Sequence, residues 1–67
     1  MIIDREKLEL AMAHAVMDSN DIMKAADMPR GTWLKVSCGY NVRPKTAGKV
    51  AKVLGTPVES LLVDERQ

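Results

Sequence analysis

Residues 18–39 read DSNDIMKAADMPRGTWLKVSCG and contain two short amphipathic segments separated by Asp27-Met28-Pro29. Asp18 offers a side-chain oxygen as N-cap, and Asp21 stands at the third helical position, where its carboxylate can reach back toward the cap. Ile22, Met23 and Ala26 then supply the apolar side of a helix over about residues 19–26. Pro29 stops it, because the residue before a proline is pushed out of the helical region. Beyond Pro29, Trp33 and Val36 lie three apart while Arg30, Thr32 and Lys35 point elsewhere, which predicts a second helix ended by Gly39. Two short helices joined by a tight corner read as a helix-turn-helix, and a DNA-binding module is the leading expectation.

Working outward, Leu8, Ala11, Met12, Ala15 and Val16 repeat at the spacing of a helix with one buried stripe, over about residues 4–16. Asp4 and Glu6 suit its N-terminal dipole, and Met17 is placed to pack inward. On the other side, Tyr40 to Arg43 reads as a connecting loop. Pro44 suits the first turn of a helix in which Ala47, Val50, Ala51 and Leu54 face one way and Gly55 ends the run. Thr56-Pro57 restarts the chain, Val58, Leu61 and Leu62 form a last short apolar stripe, and residues 63–67 trail off polar. The expectation is a single all-α domain of five helices over residues 1–67, with no strand.

A chain of 67 residues buries only about 60% of the surface its unfolded form exposes, so its core is small. A deep substrate pocket with supporting groups would consume most of that interior, which argues against an enzyme. Phenylalanine is absent and five methionines are present, so aliphatic side chains must fill the interior. Cys38 is the only cysteine; it can form no internal disulfide, and no Cys/His cluster is available for zinc. No apolar run is long enough to span a bilayer and the start is unlike a signal peptide, so the expected location is the cytoplasm, with no membrane partner. Net charge is only +1, but Lys35, Arg43, Lys45, Lys49 and Lys52 follow one another without an intervening carboxylate.

The run Ile22 to Trp33, followed by Arg43 to Gly55, resembles the lambda-repressor-like, Cro/C1-type (XRE) helix-turn-helix family. The likeness extends from about residue 8 to residue 63. PKTAGKVAKVLGTPVESLL, residues 44–62, is similar to the family's fourth and fifth helices. The resemblance implies a compact five-helix domain that sets its third helix into the DNA major groove, often as a dimer, and acts as a transcriptional regulator or repressor of the kind carried by phages and mobile elements. Asp27 stands where the family usually has glycine, and an Asp can keep a left-handed turn. Met23 replaces a small alanine and is expected to alter the packing between the second and third helices.

In that architecture the first residues of the third helix reach base edges. Arg30 could make two hydrogen bonds with guanine; Gly31 would let the backbone approach DNA; Thr32 offers a methyl to thymine or a hydroxyl to phosphate; Lys35 shares its exposed face. Asn41, Arg43, Lys45 and Thr46, at the loop and the start of the fourth helix, are the expected phosphate contacts. Ser19, Asn20 and Lys24 on the second helix are their counterparts on the other flank, although Ser19 replaces a glutamine frequent in the family. Lys49 and Lys52 read as a solvated face, Trp33 as core rather than a base-stacking platform, and Leu34 falls on the side away from the core seam.

His14 has no serine or cysteine at a catalytic spacing, and neither a glycine-rich phosphate loop nor a carboxylate cluster for metal occurs, so no catalytic residue, cofactor or metal is expected. The competing expectation is an anti-repressor or modulator that keeps the fold and binds a partner repressor protein, motivated by the low net charge, Ser19 and Leu34. Homodimerisation through a surface around Val58 to Val63 is a further expectation.

Overall fold

The computed structural model describes residues 1–63, and over these the protein is all-α. Its α-helices are α1 (Arg5–Ala15), α2 (Ser19–Ala26), α3 (Arg30–Ser37) and α4 (Pro44–Leu54). The polar tail expected over 63–67 lies, from residue 64 on, outside the described residues.

Local chemistry accounts for the helix ends. Asp4 caps α1 by accepting from the amides of Glu6 and Lys7 at 2.9 and 3.2 Å. At α2 the capping is reciprocal: the amide of Asp21 donates to Asp18 Oδ1 at 2.9 Å, and the amide of Asp18 donates to Asp21 Oδ2 at 3.0 Å. Such caps satisfy amide donors that a helix start otherwise leaves without a partner. Asp27 ends α2 in the left-handed region, at φ 52°, and the next amide, of Met28, closes on the carbonyl of Met23 at 2.9 Å. This is the corner expected from Asp27-Met28-Pro29. Gly55 ends α4 in the same conformation at φ 69°.

Ile22, Ala26, Trp33, Val36, Ala47, Val50 and Leu54 meet in one apolar core that contains no buried polar or charged residue among those described. α4 packs against α2 and against the turn that follows it, and α2 packs against α3. Trp33 is 4% exposed and belongs to this core. Met17 and Met23 pack against it from the rim.

Three features depart from the sequence expectation. The fifth helix is a single 3-10 turn over Val58–Leu61, because Leu62 leaves it in extended conformation to pair with Ile3. Second, the chain start is part of the core. Ile3 is 1% exposed, and residues 2 and 3 form isolated antiparallel bridges with Asn41 and Leu62 respectively, although no full strand forms among the described residues. Amides of Val42, Asp4 and Val63 donate to the carbonyls of Met1, Leu61 and Ile2 at 2.7, 2.7 and 3.0 Å. Third, Val16 does not continue the buried stripe of α1. As the left-handed C-cap, at φ 54°, it turns its side chain out and is 85% exposed. Within the segment expected to pair two copies, Leu61 is wholly buried, Val58 and Leu62 are half-buried and Val63 is exposed.

Candidate nucleic-acid interface

α3 begins at Arg30 directly after Pro29, which has no side chain able to cap it. At about 100° per residue, Trp33 and Val36 define one side of the helix, and Arg30, Gly31, Leu34 and Lys35 spread over the opposite arc. All four are exposed, whereas Thr32 is half-buried at the edge of the arc. The bonds that end α3 run from the amides of Cys38 and Tyr40 to the carbonyls of Leu34 and Lys35, at 2.9 and 3.0 Å. They turn the chain through Gly39, at φ 81°, into the loop that carries Asn41.

That loop and α3 enclose an open cleft of about 340 Å³ lined by Thr32, Lys35, Asn41, Val42, Arg43 and Thr46. Val42 is buried and pins the loop to the core, while Asn41 and Arg43 beside it face solvent. The fold therefore brings together two residues expected to reach bases, Thr32 and Lys35, and three expected to hold phosphate, Asn41, Arg43 and Thr46. Arg30, Gly31 and Lys45 are exposed but do not line the cleft. Asn20 and Lys24 are exposed on the outer side of α2. Ser19 is half-buried and lines a separate depression with Arg5, Glu9, Trp33, Ser37 and Cys38.

The helix termini sort by charge. α1 and α2 carry aspartate caps and an acidic residue in the first turn, whereas α3 and α4 have neither a side-chain cap nor an acidic residue there. The open amides and positive dipole ends of α3 and α4 thus remain unopposed, and Thr32 and Thr46, each the third residue of its helix, bring both ends to the cleft. The sequence holds no carboxylate from Met28 to Val58. An anionic, hydrogen-bond-accepting strand fits this arrangement.

Elsewhere the chemistry is sparse. No group of three or more His, Cys, Asp and Glu residues that could hold a metal occurs among the described residues, and no helix among them is long and apolar enough to cross a membrane. Asp18 has its carboxyl held below the usual carboxylate range, chiefly by the backbone amide of Asp21. No family model, curated protein or solved structure matches this chain.

Sequence reasoning missed the role of residues 1–3, which fasten the cleft loop from behind through the bridge between Ile2 and Asn41. The adjacent apolar pair Ile2-Ile3 was the available signal.

Proposed function

We propose that this protein is a sequence-specific binder of double-stranded DNA and a transcriptional regulator, with a lambda-repressor-like arrangement in which α3 enters the major groove. The observation that carries the reading is the cleft in which Thr32 and Lys35 of α3 adjoin Asn41, Arg43 and Thr46, with Thr32 and Thr46 in the first turns of two helices that carry no acidic residue there. In the bound state Arg30, Gly31, Thr32 and Lys35 meet base edges, and Asn41, Arg43, Lys45 and Thr46 grip one backbone. Asn20 and Lys24 face the other backbone. Two copies on adjacent half-sites would double these contacts.

A mobility-shift titration on the DNA adjoining the gene, repeated over a salt series, tests this. Binding by the chain alone is expected, with log affinity falling linearly as log salt rises, by roughly 0.9 for each phosphate neutralised. No retardation at low salt would defeat the reading.

A second reading, a modulator that binds a partner repressor protein, is supported by Leu10. It is 64% exposed on the outer side of α1 and lies beside Glu6 and Glu9. Retardation that requires a co-encoded repressor would favour it.

A further inference from the structure

We propose that Leu34 is a specificity-determining residue of α3 and that it recognises the 5-methyl group of a thymine. The inference rests on the DNA-binding reading above. Leu34 is 49% exposed, while the other large apolar residues of its helix, Trp33 and Val36, are 4% and 1% exposed. It is turned about 160° from Val36 around the helix axis and so projects from the outer arc. Arg30 precedes it by four residues, Gly31 by three, and Lys35 follows it. A Cβ built on Gly31 would meet no other side chain within 4 Å, so this part of α3 is left uncovered by the rest of the fold.

Charge narrows what can cover it. The flanking cations, with no carboxylate in the sequence from Met28 to Val58, repel a basic surface and attract a polyanion. The apolar surface offered is one side chain amid polar residues and a glycine, far less than the apolar centre of a stable protein interface, which spans about 800 Å² on each partner. An isolated methyl matches it. In the major groove the thymine methyl is the apolar group of the base edges, and contact with it separates thymine from cytosine.

The test starts by selecting duplexes from a random pool with the full chain at low salt, and then replaces each thymine of the selected site singly by deoxyuridine, which removes only the methyl. For the unaltered chain, replacement at one thymine per bound copy is expected to lower affinity about threefold to fivefold. Leu34→Ala, its folding checked by thermal unfolding, is expected to bind the thymine and uracil duplexes equally and to match the unaltered chain on uracil. Indifference of the unaltered chain to every replacement overturns the inference while leaving DNA binding intact. An undiminished thymine preference in Leu34→Ala overturns it too. Failure to retain any duplex overturns the DNA-binding reading itself, and this inference with it.

Discussion

The backbone of Ile2 pairs antiparallel with that of Asn41, and the next residue, Ile3, pairs with Leu62. Three segments remote in sequence are joined by this short ladder, and the middle one ties the cleft loop to the last turn of the fold. Ile3 fills the core beneath the ladder. Ile3→Val is expected to cost about 0.5–1.5 kcal/mol and Ile3→Ala about 2–5 kcal/mol. Urea unfolding followed by circular dichroism measures both, and an Ile3→Ala protein as stable as the parent would contradict the placement of residue 3.

Val16 is a β-branched residue in the left-handed region with an exposed side chain. The conformation costs roughly 1–2 kcal/mol for an L-residue, and no buried contact offsets it. Val16→Gly is expected to raise stability by about 1 kcal/mol once the greater freedom of glycine in the unfolded chain is allowed for. Asp27→Gly, at an equivalent corner, should gain less, because aspartate tolerates this region better. Thermal unfolding of the two variants side by side gives the comparison.

The reciprocal cap at α2 predicts a pH effect. The Asp18 carboxyl titrates below its ordinary range because the amide of Asp21 stabilises the charged form. A depressed folded-state pKa means a stabilisation that is present above the unfolded-state pKa and lost as pH falls through the folded value. Asp18→Asn keeps a capping oxygen without a titrating carboxylate. The stability difference between parent and variant should therefore be constant near neutrality and change below about pH 4. A difference that stays constant throughout acid unfolding would show that the Asp18 carboxyl titrates alike in the folded and unfolded chain, and so that the cap does not favour its charged form.

Under the proposed function, Arg30 and Arg43 serve different ends. Arg30→Ala should weaken binding to a selected site by about 1–3 kcal/mol while leaving binding to unrelated duplex nearly unchanged. Arg43→Ala should weaken both alike and reduce the salt slope by about 1. Equal effects of the two substitutions on specific and unrelated DNA would refute this division of roles.

The elements legible in the sequence are those specified by neighbours along the chain. The limits of α2 follow from the Asp18–Asp21 cap and Pro29, and α4 is bounded by Pro44 and Gly55. What escaped notice depends on distant partners or on a change of direction at a helix end. Periodicity assigned Val16 to the stripe of α1, but a left-handed cap breaks the periodicity at that residue. A local pattern of Val58, Leu61 and Leu62 suggested a helix, yet pairing with Ile3 draws Leu62 into extended form. Much of the candidate site was legible because Thr32 and Lys35 lie one turn apart and Asn41 to Thr46 follow the end of α3. The half-burial of Ser19 follows from its standing three residues before buried Ile22.

The sorting of acidic residues to the first two helix starts, and away from the last two, separates charge within a molecule whose formal net charge is +1. At physiological ionic strength fields fade over about 8 Å. A polyanion farther away meets a nearly neutral particle and does not accelerate its arrival, whereas one within that range exerts a torque that swings the cleft inward. Under the proposed function, attraction at a distance is exchanged for orientation at contact, which suits a search in which most encounters must be brief.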